Sequence, residues 1–187
     1  MFINKKIIYE ELFLTKIFKS KYILNIDYNE SEYNNLFENI CIIDKLKLKI
    51  DCINIEKNII KNLKSNDKIS FDIKDIEEIN KKYNIIIFNN LFYQFDLTVI
   101  KNKIEKAKSL LKSGGKIIFI NNIITYYNQY TYHPFSYFFK CIYISDLYDI
   151  LKENELIILD SNRILTLDIP TYPIEYFSII CENKFTS

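Results

Sequence analysis

His133 is the only histidine of the 187-residue chain, and its side chain is the one best suited to accept a proton near neutral pH. A proline follows it directly, so a loop residue without a catalytic role is the alternative interpretation. The four cysteines, Cys41, Cys52, Cys141 and Cys181, form no CxxC pair. Since a structural zinc ion needs about four nitrogen or sulfur ligands at close spacing, we expect no metal site.

Polar side chains follow four of the predicted strands, at the positions where a parallel sheet binds its ligands. They lie within residues 27–31, 54–56, 74–76 and 89–93 and include Asp27, Asn29, Ser31, Asn54, Glu56, Asp75 and Asn89. Carboxylate, amide and hydroxyl groups hydrogen-bond a polar small molecule readily. The sequence therefore predicts a ligand site at the carboxyl ends of the strands.

The elements that position these residues are predicted from the hydrophobic pattern, which indicates seven strands in alternation with helices. The predicted strands are 22–26, 48–55, 68–73, 83–90, 115–123, 156–167 and 174–183, and the helices are 3–20, 31–47, 56–65, 76–82, 97–112 and 144–154. This order predicts an α/β fold, a doubly wound, mostly parallel seven-stranded sheet with helices on both faces and an antiparallel last strand. We expect residues 1–20 to form a leading helix and 21–187 a single domain.

The composition excludes several classes of function. Glycine, alanine and arginine are scarce while Lys, Asn, Ile, Tyr and Phe are abundant, a bias typical of an AT-rich genome. The net charge of +1 gives no strong nucleic-acid signal. The lysines of residues 101–112 are interpreted as a solvated helix face, with an RNA-binding patch as the alternative.

With no run of 18 or more apolar residues and no secretory signal, we expect a cytoplasmic or otherwise intracellular protein that does not enter a membrane.

The stretch Leu111-Lys112-Ser113-Gly114-Gly115 contains the only two glycines of the chain. It joins a predicted amphipathic helix to a predicted strand, "KIIFIN". A helix that ends against a sheet needs a residue with positive φ to stop it, and glycine adopts this conformation without a Cβ clash. An ordinary helix-to-strand junction with a glycine cap is the alternative interpretation.

This helix-LKxGG-strand pattern, in its place in the order of elements, resembles the class I S-adenosylmethionine (SAM) dependent methyltransferase family over roughly residues 20–184. Two further stretches are similar to the family. "KKYNIIIFNNLFYQF" resembles its fourth strand, and "SDLYDILKENELIILDSNRI" resembles its late helix and sixth strand, with Asn154-Glu155-Leu156 in place of the usual Ala-Gly-Phe. The resemblance implies a Rossmann-like fold and SAM as the cofactor.

The resemblance also implies the cofactor contacts. The family motif V-L-D-x-G-x-G-x-G corresponds to Ile23–Ser31, a degenerate motif in which Asp27, Asn29 and Ser31 replace the glycines. The ribose contact falls on Asn54, with Glu56 as the substitute. Asp75 takes the position that meets the adenine amino group, with a helix N-cap as its alternative role. Asn89 lies near the end of the predicted fourth strand and is a further candidate for a cofactor contact. His133 corresponds to the loop that contacts substrate and is the candidate base.

Two functions follow from this resemblance. The first is a SAM-dependent methyltransferase whose acceptor, a small molecule or a macromolecule, the sequence does not name. The second is a noncatalytic pseudo-methyltransferase that serves as a structural or regulatory subunit of a complex. The aromatic-rich loop 125–139 is interpreted either as a lid or protein-binding surface, or as a loop that packs across the sheet.

Overall fold

The structure, a computed structural model, describes residues 22–26, 47–54, 65–89, 97–123, 144–169 and 172–183. The strands in these ranges are β1 (Tyr22–Ile26), β2 (Lys49–Asn54), β3 (Ile69–Ile73), β4 (Tyr83–Asn89), β5 (Leu111–Ile123), β6 (Leu156–Ile169) and β7 (Tyr172–Asn183). The helices are α1 (Leu97–Leu110), α2 (Ile144–Glu153) and the single 3₁₀ turn η1 (Ile76–Glu78).

The seven strands form one sheet in the order β3-β2-β1-β4-β5-β7-β6. Strands β1 to β5 pair in parallel, whereas β7 is antiparallel to both β5 and β6. Among the described strands, β7 alone therefore runs against the others. The predicted fold class, with its antiparallel last strand, is confirmed.

This strand order creates a switch point between β1 and β4. The chain adds β2 and β3 on one side of β1 and then crosses over to place β4 on the other side. In open parallel sheets, the crevice outside the carboxyl ends of the strands at such a point is where ligands bind. A ligand site is therefore expected at the carboxyl ends of β1 and β4.

The core lies along the central strands because their residues are apolar on both faces. Ile23 and Leu24 of β1, and the run Ile117–Ile120 of β5, are all buried. Phe88 of β4 stacks on Phe119 of β5 with ring centroids 5.5 Å apart. The continuous apolar run of β4 is buried as predicted, which is the pattern of a parallel strand covered on both faces.

The glycine pair at the α1–β5 junction has two separate roles. Gly114 has φ +68°, a left-handed conformation that glycine adopts without a Cβ clash, in the irregular first residues of β5. A Cβ on Gly115 would lie 2.8 Å from the carbonyl oxygen of Lys112 and 3.1 Å from that of Asn84. Residues 112–115 lie opposite the single residue Asn84 of β4, so the backbone folds tightly here. As a result α1 ends at Leu110, two residues earlier than predicted, and strand pairing begins at Leu111.

Two sequence expectations need correction. The helix predicted over 76–82 is only η1, because Ile79 already has extended backbone (φ −86°, ψ 132°) that leads into β4. The lysines of residues 101–112 are not all on a solvated face, since Lys103 is buried. The predicted helices 3–20, 31–47 and 56–65, including the leading helix 1–20, lie outside the described residues. No helix in the described part of the chain has the length and apolarity to cross a membrane.

Candidate functional site

We call the side of the sheet at which the parallel strands end the carboxyl edge, and the side at which they begin the amino edge. The described residues of the carboxyl edge include only part of the predicted site. Asn54 is the last residue of β2 and pairs with Ile73, the last residue of β3. Asp75 follows β3, and Asn89 ends β4. The other predicted site residues, Asp27, Asn29, Ser31, Glu56 and His133, lie outside the described residues, and so does the aromatic-rich loop 125–139.

A pair of buried asparagines spans the switch point. Asn25 of β1 and Asn89 of β4 have 1% and 0% of their surface exposed. The Asn89 Nδ2 group donates to Asn25 Oδ1 at 2.5 Å and to the Ile26 carbonyl oxygen at 3.2 Å. Two strands that are far apart in sequence are thereby linked by side chains at the place where a ligand would bind.

The contacts fix the orientation of both amides. The Ile26 carbonyl can only accept a hydrogen bond, so Asn89 must turn its NH₂ group toward it. Asn25 must then present its oxygen to the same NH₂ group. Asn25 Nδ2 and Asn89 Oδ1 are left without a partner among the described residues. A buried amide atom without a hydrogen bond costs about 1–3 kcal/mol, so this pair offers one donor and one acceptor to an incoming polar group.

Asn25 is a candidate site residue that is absent from the residues predicted from the sequence. The signal was present, because Asn25 is the one polar residue within the apolar run Ile23–Ile26 of a buried strand. A buried polar side chain needs a hydrogen-bond partner. That requirement singles out a polar residue in a central strand even before its partner is known.

Asp75 forms an ion pair with a lysine inside the protein. Lys103 of α1 donates to Asp75 Oδ1 at 2.6 Å, and the side chains of Lys103 and Asp75 are 7% and 34% exposed. The N–H of Asp75 donates to Glu78 Oε1 at 2.9 Å, which makes Asp75 the N-cap of η1. Burial raises the pKa of Asp75, but the hydrogen bond and charge of Lys103 outweigh it and hold this pKa below its usual 3.8.

The role of Asp75 as a helix cap is therefore observed. Its contact with a ligand stays a prediction, and the two roles are compatible. A carboxylate has about four lone-pair positions, and a third of the Asp75 side chain is accessible. Asp75 thus presents an ionised acceptor at the carboxyl end of β3.

A second polar cluster lies at the opposite, amino edge of the sheet. Asp51 of β2 accepts hydrogen bonds from Ser70 Oγ at 2.7 Å, Lys81 Nζ at 2.6 Å and Tyr83 OH at 2.9 Å. The Lys81 ammonium also lies 5.0 Å from the ring centroid of Tyr22. Both Asp51 oxygens are partnered within the protein, so this cluster ties β2, β3 and β4 together.

The described residues offer neither a metal centre nor a reactive thiol. They include no group of three or more His, Cys, Asp or Glu side chains that could hold a metal ion. Cys52 and Cys181 are buried thiols that form no disulfide. Burial raises the pKa of the Cys181 thiol to about 12, and a thiol in this state is a poor nucleophile. Hydrogen bonding at the carboxyl edge is the chemistry that these residues support.

No protein-family model and no curated protein sequence matches this chain. Solved structures do match it in three dimensions. The N-methyltransferase NodS from Bradyrhizobium japonicum WM9 aligns at a TM-score of 0.64 with 14% identity, over 96% of this chain and 97% of that one. The geranyl diphosphate C-methyltransferase from Streptomyces coelicolor A3(2), solved with Mg²⁺, geranyl diphosphate and S-adenosyl-L-homocysteine, aligns at 0.68 with 8% identity, over 95% and 79%.

A third example is a SAM-dependent methyltransferase from Clostridium acetobutylicum ATCC 824. It aligns at a TM-score of 0.63 with 15% identity, over 97% of this chain and 92% of that one. The likeness extends over nearly the whole chain in all three cases. At such low identity it establishes a shared fold.

Proposed function

We propose that this chain, which has the class I SAM-dependent methyltransferase fold, binds SAM at the carboxyl edge of its sheet and transfers the methyl group to an acceptor. The buried Asn25–Asn89 pair carries this proposal. It places an unpaired donor and an unpaired acceptor at the switch point between β1 and β4. A purely structural pair would be expected to satisfy both atoms.

The residues at this edge suit a nucleoside with a polar tail. Asp75 provides an ionised acceptor for an amino group of the base, and Asn54 or Glu56 is assigned to the ribose hydroxyls. Asp27, Asn29 and Ser31 follow β1 and are assigned to the turn beside the cofactor. SAM carries its methyl group on a sulfonium. A nucleophile held in line forms a bond to the methyl carbon while the carbon–sulfur bond breaks, and S-adenosylhomocysteine is the leaving group. His133 is the candidate base for an acceptor that carries a proton.

Calorimetry and thermal unfolding with SAM and S-adenosylhomocysteine test the binding step. At a hundredfold excess over its Kd, a ligand stabilises the fold by about 2.7 kcal/mol. For a chain of this size that corresponds to a rise in Tm of roughly 5–10 °C. The absence of any shift at millimolar concentrations of both ligands would contradict the proposal.

A substitution at Asp75 tests the assignment of the base contact. We expect Asp75→Ala to weaken S-adenosylhomocysteine binding about a hundredfold, since it removes a charged acceptor. Asp72→Ala is the matched control, because Asp72 lies three residues away, is exposed, and pairs only with the exposed Lys74 among the described contacts. The control is expected to bind normally. Equal affinities of the two variants would remove Asp75 from the site.

A noncatalytic subunit of a complex is the second candidate. Asn25 and Asn54 stand where the family pattern has acidic residues, which favours weaker cofactor binding. Ile157, Ile158 and Leu159 also form an exposed apolar run on β6, the edge strand of the sheet. Such a run is typical of a protein-binding surface, and the aromatic-rich loop 125–139 is proposed as a further contact. A chain that binds SAM and stays monomeric in size-exclusion chromatography would contradict this second function.

A further inference from the structure

Lys103 occupies a position in α1 where an apolar residue is expected. Its neighbours on the buried stripe, Ile100, Ile104 and Ala107, are at most 1% exposed, and Lys103 itself is 6% exposed. Lysine is almost never buried unless it is paired. Well-packed apolar residues often stabilise a protein as much as a buried ion pair does. The packing of α1 therefore does not explain the choice of lysine.

The contact that Lys103 makes offers an explanation. Its ammonium reaches across to the segment after β3 and donates to Asp75 Oδ1 at 2.6 Å. The backbone of Asp75 is held separately, through its N–H to Glu78 Oε1 and its carbonyl oxygen to Glu78 N. Lys103 is thus the contact from α1 that fixes the carboxylate, which also accepts from the backbone N–H groups of Ile76 and Glu77. About a third of that side chain remains exposed.

We propose that Lys103 is a positioning residue for ligand recognition, which holds the Asp75 carboxylate in place as the acceptor for an amino group on a nucleobase. This inference rests on the proposed function, since Asp75 is assigned there to the base of SAM. Lys103 does not touch the ligand. It acts through Asp75, by fixing both the direction and the charge of the carboxylate.

The charges around Asp75 show why Lys103 is needed. Lys103 is the cation that faces it from α1, whereas η1 contributes the acids Glu77 and Glu78. Lys74, the neighbouring cation, pairs with Asp72. Burial favours the protonated form of Asp75, whereas Lys103 and, after it, the backbone N–H groups of Glu77 and Ile76 favour the ionised form. Without Lys103, the pKa of the Asp75 carboxyl would rise, and the protonated carboxyl would accept less well.

Lys103→Met removes the ammonium while keeping the length of the side chain. Lys101→Met is the matched control, because Lys101 lies on the same helix in an exposed ion pair with Glu153. The probe is S-adenosylhomocysteine, measured by calorimetry at pH 7.5, 6.5 and 5.5. We expect Lys103→Met to bind about tenfold more weakly at pH 7.5 and to lose affinity further toward pH 5.5. The native chain and Lys101→Met are expected to change little with pH.

A third variant separates positioning from packing. Lys103→Arg keeps the charge, so it is expected to restore the pH-independent profile even if its affinity is somewhat lower. Native affinity and a native pH profile in Lys103→Met would overturn the proposal. So would a uniform loss of affinity, with the same pH profile, in both Lys103→Met and Lys103→Arg.

Two further measurements keep the test decisive. If the native chain binds no S-adenosylhomocysteine, the proposed function fails, and the carboxyl ¹³C signal of Asp75 then reports on Lys103 directly. A titration midpoint that rises in Lys103→Met supports the part of the proposal in which Lys103 fixes the charge of Asp75, and an unchanged midpoint overturns the proposal. If Lys103→Met does not fold, the double variant Lys103→Met/Asp75→Asn removes the unpaired charge. It is expected to fold and to bind at least tenfold more weakly, and native affinity in it overturns the proposal.

Discussion

The two edges of the sheet contain polar clusters of opposite character. At the amino edge, Asp51 uses both carboxylate oxygens on three partners within the protein. At the carboxyl edge, Asn25 and Asn89 are more deeply buried, yet each keeps one atom unpaired in the described structure. Polar atoms that are fully paired stabilise a fold, whereas buried unpaired atoms weaken it. The difference supports a stabilising role for the amino edge and agrees with the proposal that the carboxyl edge binds a ligand.

The largest expected effect comes from removing the centre of the amino-edge cluster. Asp51→Ala should lower the free energy of unfolding by about 2–4 kcal/mol, because Lys81, Ser70 and Tyr83 all lose their acceptor. Urea denaturation measures this loss. The affinity for S-adenosylhomocysteine should stay within about twofold of native. A loss of affinity that accompanies the loss of stability would contradict separate roles for the two edges.

The carboxyl edge should respond in the opposite way. We expect the stability of the double variant Asn25→Leu/Asn89→Leu to stay within about 1 kcal/mol of native. It removes two unpaired atoms and the bond between the two amides, and this offsets the donor that the Ile26 carbonyl oxygen loses. Its affinity for S-adenosylhomocysteine should fall about tenfold, or about 1.4 kcal/mol. Calorimetry and urea denaturation give the two values.

Asn154→Leu is the control for that double variant. Asn154 is also buried, but its Nδ2 group donates to the Ile150 carbonyl oxygen at 2.9 Å. This substitution should lower stability without changing affinity. If the double variant is destabilised as strongly as Asn154→Leu and still binds normally, a trapped water satisfies the asparagine pair and the pair belongs to the structure alone.

The stability contributed by the two edges should depend differently on pH. Burial raises the pKa of Asp51, but the hydrogen bonds from Lys81, Ser70 and Tyr83 lower it below the usual 3.8. The stability contributed by ionised Asp51 is therefore complete above about pH 4 and is lost as the pH falls through its folded-state pKa. The stability difference between the native chain and Asp51→Asn should shrink between pH 5 and pH 2. The asparagine pair does not titrate, so the corresponding difference for the double leucine variant should stay constant.

The smallest effects concern the two helix-to-strand junctions. The α1–β5 junction has Gly114 at φ +68°, and the α2–β6 junction has Glu155 at φ +56°. Glu155 takes the position where the methyltransferase pattern has glycine. Glu155→Gly should stabilise the fold by about 0.5–1 kcal/mol, while Gly114→Ala should destabilise it by about 1 kcal/mol. Thermal unfolding measures both.

Glu155→Ala is the control at the second junction. It keeps a Cβ in the left-handed conformation and removes the exposed contact of Glu155 with Lys108, which is 3.7 Å long and worth little. It should not stabilise the chain. If Glu155→Ala stabilises it as much as Glu155→Gly does, backbone strain is not the cause.

The fold could be predicted from local pattern to a large extent. The strongly apolar run of β4, the helical stripe of α1 and the glycine junction all lie where the sequence placed them, within a few residues. Each is a local property, set by side-chain periodicity or by one backbone angle. The prediction failed where distant contacts decide, as at 76–82, where the approach of the chain to β4 ends the helix after a single turn.

The site could be predicted only in part. Asp75 and Asn89 were identified from their place after strands, and the structure puts both at the carboxyl edge. Asn25 was missed although it is the one polar residue of an apolar strand, and only the structure shows its partner, Asn89, which is 64 residues away in sequence. Lys103 was interpreted as a solvated lysine because it belongs to a run of charged residues, although its spacing from Ile100 and Ala107 is that of the buried stripe. Nothing local marks the ion pair with Asp75.

By itself, the sequence determined the order of the elements, their apolar faces and the positive-φ glycine, because these depend on neighbours along the chain. Only the tertiary structure decided which polar groups meet. The crossover from β3 to β4 places Asn89 beside Asn25, and the docking of α1 places Lys103 beside Asp75. Hydrogen bonds and ion pairs act over about 3 Å, so their partners are fixed by packing in space and not by spacing in sequence.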